Sequence, residues 1–297
     1  MKILITGSSG LIGSALVQSL TISGNTVLSL SRRPISGDLK WCPNSGEIEL
    51  PYNTNIDAVI HLAGENIARA RWSKKQKEKI LASRINGTRL LVDKIIQLQP
   101  PPKTLLSASG IGIYGDRQDV FLDENEQLGE GFLVDVAREW ETVTRSAVDA
   151  GIRVANFRIG VVLSTEGGIL KRLVPLFKYG FGAILGPGNQ YMSWVTLDDV
   201  VQAIEYVLAN EDLKGPINIV APNPVSNREF TKILGMVLNR PVILRIPSWA
   251  IQAIYGEMGR ELLLMSTRAL PRRLLTSGFC FQFPYLENAL QYLLEEK

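Results

Sequence analysis

Three glycines at three-residue intervals near the start of the chain limit its fold more than any other feature of the sequence. The opening stretch reads KILITGSSGLIGSAL, in which an apolar run of strand type, Lys2–Thr6, precedes Gly7, Gly10 and Gly13. An amphipathic stretch, Leu11–Leu20, follows and predicts a helix. A strand, a glycine turn and a helix in this order are typical of a phosphate-binding loop, because the helix N-terminus points its amide groups at the ligand. A glycine triplet alone marks a purely structural turn about as often, so the neighbouring segments are needed to distinguish a nucleotide-binding loop from such a turn.

Short β-type runs alternate with helical stretches along the first half of the chain. After the first strand, these runs are Val27–Ser31, Ala58–Leu62, Thr104–Ala108 and Val154–Ile159. The alternation predicts an α/β fold with a doubly wound parallel sheet and helices on both of its faces. We expect residues 1–165 to form a nucleotide-binding domain and residues 166–297 a smaller C-terminal substrate lobe. A β-type run at Pro216–Ala221 either stays in that lobe or returns to the main sheet.

Further helices are predicted from periodicity and from one N-terminal signal. Ser73 followed by Gln76 has the spacing of a capping box and places the start of a helix. The lysines that crowd its first turns are interpreted as a solvated face, with a partner surface as the weaker alternative. The later helical stretches are Asp198–Ala209, Asn227–Val237 and Leu286–Leu294.

Composition and charge exclude several classes of function. The net charge of +3 arises from 32 basic and 29 acidic residues spread along the chain, so neither nucleic acid nor a membrane is an expected partner. His61 is the sole histidine, and with Cys42 and Cys280 as the two cysteines we expect no metal site and no Ser-His-Asp triad. No apolar run has membrane-spanning length and the first strand begins at residue 2, so a cytoplasmic protein is expected.

The end of the second strand indicates which dinucleotide binds. In LSLSRRP, Arg32 and Arg33 stand where an NAD-binding protein usually places an acid for the ribose diol. Guanidinium groups match a 2′-phosphate in charge and geometry, so NADP(H) is predicted over NAD(H). Surface arginines in a turn are the alternative. The next strand ends in HLAG, where small Ala63 and Gly64 allow backbone to lie against the adenosine, whereas His61 is expected in the core.

Longer motifs resemble a known superfamily. TGSSGLIG, HLAG, SASGIGIYG (107–115) and SWVTLDDVVQAI (193–204) resemble the extended short-chain dehydrogenases/reductases. LAGENIARARWSKKQKEKILASRINGT, RIGVVLSTEGGILKRLVPLFKYGFGAILGPGNQYMSW, APNPVSNREF and LPRRLLTSGFCF resemble its atypical epimerase-family proteins, and the resemblance covers essentially the whole chain. Those proteins carry a C-terminal segment of unassigned role, and their cyanobacterial and plastid relatives are often labelled SulA-type cell-division factors.

The resemblance implies a Rossmann-like cofactor site and a substrate cleft under the C-terminal lobe. Together with the residue patterns, it gives a cofactor-binding set of Thr6, Gly7, Ser9, Gly10, Leu11, Ile12, Arg32, Arg33, Leu62, Ala63, Gly64, Arg84 and Ser107. Glu65 and Asn66, after LAG, and Gln190 and Trp194, in GPGNQYMSW, are the candidate substrate-binding residues. A role for Trp194 in anchoring its loop to the core is an equal alternative.

The catalytic pattern of the superfamily is incomplete in this sequence. Its members protonate the substrate oxygen with a Tyr whose pKa is lowered by a Lys four residues on, while a Ser orients the carbonyl. None of the 8 tyrosines here has that lysine, and the corresponding segment, GFLVDVAREWE (131–141), carries apolar residues at both positions. Ser109 best matches the orienting serine. Tyr114 is the leading substitute acid, with a pocket-wall aromatic as the alternative.

Three functions remain open from the sequence. The first is an oxidoreductase that reduces a small carbonyl substrate with NADPH and a non-standard proton donor. The second is a catalytically weak or inactive NADP(H)-binding regulator with a protein partner in the machinery of cell or plastid division. A structural protein without a nucleotide is the third, and the glycine and arginine pattern counts against it. A homodimer is a further expectation.

Overall fold

The computed structural model describes residues 1–34, 37–43 and 45–295. Glu296 and Lys297, which end the predicted C-terminal lobe, lie outside the described residues. None of the helices in the described part of the chain combines the length and the apolar character needed to cross a membrane.

The strands are short and are distributed over the whole chain. In chain order they are β1 (Lys2–Thr6), β2 (Thr26–Ser31), β3 (Leu39–Cys42), β4 (Glu47–Ile48), β5 (Ala58–His61), β6 (Thr104–Gly110), β7 (Phe121–Leu122), β8 (Arg153–Ile159), β9 (Val161–Leu163), β10 (Ala183–Leu185), β11 (Tyr191–Met192), β12 (Trp194–Thr196), β13 (Gly215–Ile219), β14 (Val225–Ser226), β15 (Leu244–Ile246) and β16 (Arg268–Ala269).

The helices lie mostly between these strands. In chain order they are α1 (Leu11–Ile22), α2 (Lys74–Ile96), α3 (Phe132–Val143), α4 (Arg145–Asp149), α5 (Gly168–Lys178), α6 (Leu197–Ala209), α7 (Asn227–Val237), α8 (Ser248–Tyr255), α9 (Glu257–Gly259), α10 (Arg272–Thr276) and α11 (Leu286–Glu295). A 3₁₀ turn at Ile111–Tyr114 and a π-helical turn at Arg260–Leu264 complete the set.

The main sheet confirms the predicted doubly wound α/β fold. Within the described residues it has eight strands in the order β13-β8-β6-β5-β1-β2-β3-β4, and every neighbouring pair from β13 to β3 is parallel. The chain runs outwards from β1 in both directions, so the strand order reverses between β1 and β5. In sheets of this kind the ligand crevice lies at that reversal, outside the carboxyl ends of the strands. β13 pairs with β8, so the strand expected near Pro216 belongs to the main sheet.

Helices cover both faces of the sheet because successive strand residues point to opposite sides. Ile3 and Ile5 of β1 pack on the side of α1 and α6, whereas Leu4 packs with Val59 on the side of α2. A separate apolar core lies in the C-terminal lobe, where α5, α7 and α11 enclose Phe230 and other buried side chains. The carboxyl ends of the central strands face this lobe, and the cavity between them holds the candidate site.

Candidate functional site

The glycine turn after β1 has the geometry of a phosphate cradle. Gly7 has a φ of +76°, and a Cβ there would lie 2.8 Å from the carbonyl carbon of Leu62. A Cβ on Gly13 would lie 2.1 Å from the carbonyl oxygen of Gly7, so α1 packs against the turn only with glycine at that position. Gly10 is the N-cap of α1 and no side chain caps that helix. Ser9 and Gly10 are exposed, so the N-terminal amides of α1 stand open to a ligand.

The two arginines after β2 lie beside this turn. The parallel register pairs Thr6 with Leu30, so the segment after Ser31 follows at the level of the glycine turn. Arg32 and Arg33 are exposed, and their guanidinium groups contact no partner among the described residues. The backbone N–H of Arg33 donates to Ser31 Oγ at 3.2 Å, which fixes the start of the turn. Two uncompensated cations next to an open helix N-terminus suit an additional phosphate group.

His61 is a structural residue behind the cofactor crevice. Its Nδ1 lies 2.6 Å from Thr6 Oγ1 and its Nε2 lies 2.9 Å from Thr88 Oγ1, with the ring fully buried. Burial, and secondarily the Arg84 cation, lower the pKa of His61 to about 3, so the imidazole is neutral. The Thr6 hydroxyl also accepts the N–H of Ala63 at 3.3 Å. Thr6 therefore holds the two strand ends together, and its side chain is not available to a ligand.

Arg84 of α2 brings a cation to the wall of the cavity. Its Nη1 donates to the carbonyl oxygens of Glu65 at 3.0 Å and Ile80 at 3.1 Å, and its guanidinium lies 4.9 Å over the Trp140 ring. A Cβ on Gly64 would lie 3.2 Å from the guanidinium carbon, so a larger residue there would displace the guanidinium by a few tenths of an ångström. Burial lowers the pKa of Arg84 to about 10, which still leaves it charged at neutral pH.

A cavity of about 570 Å³ joins the crevice to the C-terminal lobe. The sheet side contributes residues such as Leu62, Gly64, Ser109 and Ile159, and the opposite side contributes Gln190–Ser193. Part of the C-terminal segment, Leu262, Leu263, Met265 and Thr267, closes the far wall. No cluster of three or more metal-binding side chains occurs in the described ranges.

The wall formed by α3 is apolar. Leu133, Val136, Ala137 and Trp140 face the cavity, with Leu133 and Ala137 one helical turn apart. A Cβ on Gly112 would lie 3.1 Å from Leu133 Cβ, which shows how closely this wall packs. The indole N–H of Trp140 is buried without a partner among the described residues. A buried donor of this kind is costly unless a ligand or water accepts its proton.

Ser109 lines the cavity but donates its hydroxyl proton to the protein. Its Oγ donates to Glu141 Oε1 at 2.8 Å, and the same carboxylate accepts Arg158 Nε at 2.9 Å and Nη2 at 3.0 Å. Although burial opposes the charge of Arg158, its hydrogen bonds to Glu141 raise its pKa above the usual range. An ionised carboxylate only accepts hydrogen bonds, so Ser109 presents its lone pairs, not its proton, to a ligand.

Tyr114 does not lie where a substitute acid would have to lie. Its side chain is fully buried and does not line the cavity. The hydroxyl donates to Asn218 Oδ1 at 2.8 Å and accepts Arg158 Nη1 at 3.0 Å. Burial raises the pKa of Tyr114, and Arg158 only partly offsets that effect. This placement corrects the expectation that Tyr114 faces a substrate, because both hydrogen-bonding directions of its hydroxyl are already used inside the core.

Two other predicted site residues lie in the core. Trp194 is fully buried among the side chains of the C-terminal lobe, and its Nε1 donates to the carbonyl oxygen of Asn223 at 3.1 Å. Ser107 is fully buried on β6 and also lies outside the cavity lining. These placements correct the expectation of direct ligand contact, and Trp194 has the anchoring role that was its alternative.

The remaining candidates for substrate contact line the cavity. Glu65 lies 3.6 Å from Arg69, and Asn66 Oδ1 accepts the N–H of Ala68 at 2.8 Å. Gln190 Nε2 donates to the carbonyl oxygens of Leu185 at 3.0 Å and Leu263 at 3.1 Å. Its Oε1 is buried and has no partner in the described part of the chain, so it is an acceptor held ready for a ligand.

Sequence reasoning did not identify the charged residues that organise this cavity. Glu261 of the C-terminal segment is buried and accepts the N–H groups of Phe132 at 3.1 Å and Leu133 at 3.0 Å, which caps α3 from a distant part of the chain. Two features of the sequence could have indicated the Arg158–Glu141 pair. Arg158 interrupts the apolar strand RVANFRI, and Glu141 shares the helical face of Leu133 and Ala137 at four-residue spacing.

Comparisons with known proteins cover the whole chain. Residues 3–220 match the model of the NAD dependent epimerase/dehydratase family, and residues 246–293 match a domain of unknown function. An epimerase family protein of Mycobacterium bovis is 45% identical over 290 residues, which cover 97% of this chain and 96% of that protein. A chloroplastic epimerase family protein of Arabidopsis thaliana is 37% identical over 99% of this chain and 87% of its own length. The crystal structure of human SDR39U1 with NADPH superposes with a TM-score of 0.93 at 32% identity, covering 100% of both chains.

Proposed function

The chain belongs to the NAD dependent epimerase/dehydratase family, and from that premise we propose that it binds NADP(H) and reduces a small carbonyl compound. The observation that carries the proposal is the pair of arginines, Arg32 and Arg33, whose guanidinium groups have no partner in the described part of the chain and which follow β2 beside the open N-terminus of α1. The similar human protein was crystallised with NADPH, which supports the same coenzyme here.

The residues of the crevice fit a dinucleotide along its length. The turn from Gly7 to Gly13 would hold the pyrophosphate, and Arg32 and Arg33 would hold the 2′-phosphate. Arg84, and the Trp140 N–H that has no partner among the described residues, would be the groups of this wall available to a ribose. When bound, NADPH supplies a hydride to a carbonyl carbon.

The lining of the cavity favours a compact, uncharged substrate. Most of the side chains around it are apolar, and Arg84 is the one cation in the described lining. Its guanidinium already contacts two carbonyl oxygens and the Trp140 ring on the cofactor side. A second diphosphate would therefore bury its charge without a counter-ion. An aromatic or aliphatic aldehyde or ketone would bury only apolar surface and one oxygen, and a quinone would bury apolar surface and two oxygens.

A second candidate function is a regulator that binds NADP(H) without turnover and acts on a protein partner, such as a component of the division machinery. The hydrogen bond from Ser109 to Glu141 favours it, because the serine that should polarise a carbonyl donates elsewhere. The cavity-facing side of α3 favours it as well, because Leu133, Val136 and Ala137 are apolar and none of them can transfer a proton.

Two measurements test these proposals. We expect NADPH at 100 times its dissociation constant to add roughly 2.7 kcal/mol to the unfolding free energy, with NADH much weaker at equal concentration. Equal stabilisation by NADH would contradict the role of Arg32 and Arg33. Loss of NADPH absorbance with 4-nitrobenzaldehyde, isatin or 9,10-phenanthrenequinone would then distinguish the reductase from the regulator, for which no loss is expected.

A further inference from the structure

Tyr191 is the one tyrosine that lines the cavity among the described residues, which include every tyrosine of the sequence. It lies on β11, directly before the segment that runs beside the end of the main sheet. Trp194 pairs with Val161 in parallel register, and the N–H of Val161 donates to the carbonyl oxygen of Ser193 at 2.9 Å. Tyr191 is therefore two residues from Ser193, whose carbonyl oxygen is bonded at the carboxyl end of β8 beside the crevice.

The backbone of Tyr191 is held by the C-terminal segment. Its N–H donates to Ser266 Oγ at 2.9 Å, and its carbonyl oxygen accepts the N–H of Thr267 at 3.1 Å. On the other side, Tyr191 pairs with Ser226 in an antiparallel bridge. The side chain is half-buried, and its hydroxyl has no hydrogen-bond partner in the described residues. A fixed backbone and an unused hydroxyl are what a positioned proton donor requires.

The other hydroxyl groups of the lining donate to protein acceptors. Ser109 donates to Glu141 at 2.8 Å, Ser193 donates to the carbonyl oxygen of Thr267 at 2.8 Å, and Thr267 donates to the carbonyl oxygen of Gly115 at 3.1 Å. The Tyr191 hydroxyl is thus the one side-chain O–H in the described lining that remains available to a ligand.

Arg268 places a cation against the same phenol ring. Its guanidinium carbon lies 4.1 Å from the centroid of Tyr191 and 3.7 Å from that of Phe121, so it is held between two aromatic faces. Nη1 donates to the carbonyl oxygen of Asp119 at 3.2 Å, and no carboxylate pairs with the guanidinium among the described residues. A cation over the ring favours the electron-rich phenolate that remains after proton transfer.

We propose that Tyr191 donates the proton in carbonyl reduction and that Arg268 stabilises the resulting phenolate, which replaces the missing Tyr-Lys pair. The assignment rests on the proposed reductase function. The carbonyl carbon gains the hydride supplied by the coenzyme, the π electron pair moves to oxygen, and that oxygen takes the proton of Tyr191. Water then returns a proton to the phenolate. Tyr191 is a catalytic residue in this scheme, whereas Arg268 is a positioning residue that acts through it.

The kinetic test compares Tyr191→Phe with wild type and with Tyr179→Phe, an exposed tyrosine of the same lobe outside the cavity. With NADPH and 4-nitrobenzaldehyde or 9,10-phenanthrenequinone, we expect kcat to fall by about 10²- to 10⁴-fold in Tyr191→Phe and to stay unchanged in Tyr179→Phe. Arg268→Met should lower kcat less, and Arg268→Lys should restore most of it because it keeps the cation.

A binding test needs no turnover. NADP⁺ has no hydride to transfer to a ketone or quinone, so the difference in calorimetric affinity between wild type and Tyr191→Phe, measured with 9,10-phenanthrenequinone, reports the hydrogen bond from the phenol. We expect the carbonyl to bind about 2- to 10-fold more weakly to Tyr191→Phe, with NADP⁺ affinity unchanged.

The outcomes separate the two proposals. Wild-type turnover with an unaffected Tyr191→Phe, or equal carbonyl affinity in the NADP⁺ complex, would overturn the assignment of Tyr191 alone. Failure of the wild type to reduce any carbonyl would overturn the reductase function and the proton transfer together.

Discussion

The two halves of the cavity are built in different ways. The coenzyme half comes from short contiguous segments after β1, β2 and β5, and its binding groups are backbone amides and exposed guanidinium groups. The substrate half comes from segments scattered between Glu65 and Thr267, and most of its hydroxyl groups already donate hydrogen bonds to other protein groups. The coenzyme half therefore has a general geometry that many sequences share, whereas the substrate half depends on contacts specific to this chain.

The largest effect is expected at Glu141, whose carboxylate accepts hydrogen bonds from Ser109 in the cavity lining and from the buried Arg158. Replacing it by Leu leaves the buried guanidinium of Arg158 without its carboxylate, which should lower the unfolding free energy by about 3–5 kcal/mol. Urea denaturation measures the change. Glu139→Leu, an exposed position on the same helix, is the matched control and should change stability little. Adding Arg158→Met to Glu141→Leu should recover part of the loss, and no recovery would contradict the buried-charge explanation.

The coenzyme half alone should respond to Arg32→Ala combined with Arg33→Ala. Because both guanidinium groups are exposed, their hydrogen bonds to the charged phosphate should contribute about 1.5–3 kcal/mol in total, which predicts roughly 10- to 100-fold weaker NADPH binding in calorimetry. NADH binding should stay the same, because that coenzyme has no 2′-phosphate. Arg89→Ala, an exposed arginine on α2, is the control. An equal loss of affinity for both coenzymes would place the two arginines elsewhere on the ligand.

The buried histidine behind the coenzyme half predicts a pH dependence of stability. The pKa of His61 is about 3 in the folded chain against an ordinary value of 6.5. Between these two pH values the unfolded chain therefore binds a proton that the folded chain does not bind. Stability is therefore greatest above pH 6.5 and falls by about 1.4 kcal/mol per pH unit as the pH drops towards 3. Between pH 6.5 and 5 this gives a loss of about 2 kcal/mol.

Because burial also raises the pKa of Glu124, the difference between wild type and a variant without the sole histidine isolates the effect of His61 between pH 7 and 5. Urea denaturation at several pH values in this interval gives the unfolding free energy. We expect it to fall with decreasing pH in wild type and to stay nearly constant in His61→Asn. Parallel slopes would show that another group titrates there.

The smallest expected effect concerns the helix that presents Arg84. Ser73 Oγ accepts the N–H of Gln76 at 3.2 Å and caps α2. Ser73→Ala should cost about 1 kcal/mol in the free energy of unfolding. Since Arg84 lies three turns further along α2, NADPH affinity should hardly change, and a large loss of affinity would mean that the cap also positions the cavity wall.

The contrast between the halves also explains what the sequence could predict. The Lys2–Thr6 strand, the Asn227–Val237 helix and the Ser73 cap follow from local patterns, because propensity and capping act over a few residues. Glycine positions in the turn were predictable for the same reason. The parallel sheet followed from the alternation of strands and helices.

The substrate half was not predictable because its contacts join residues far apart in the chain. Tyr114 is close in sequence to Ser109, yet its hydroxyl bonds to Asn218 and Arg158, which no local pattern indicates. The ring of Tyr191 contacts the guanidinium of Arg268, which comes from a segment that carries no recognisable motif. Long-range pairing of this kind requires the folded structure.

The cap that Glu261 provides to α3 has a consequence for the newly made protein. Ribosomes deliver the chain from its N-terminus, so the glycine turn, the arginines and α3 emerge well before Glu261 does. Until the carboxylate arrives, the N–H groups of Phe132 and Leu133 lack the acceptor that fixes this wall. The α3 wall of the cavity therefore reaches its final form only after the segment that carries Glu261 has been synthesised, more than 100 residues after α3 itself.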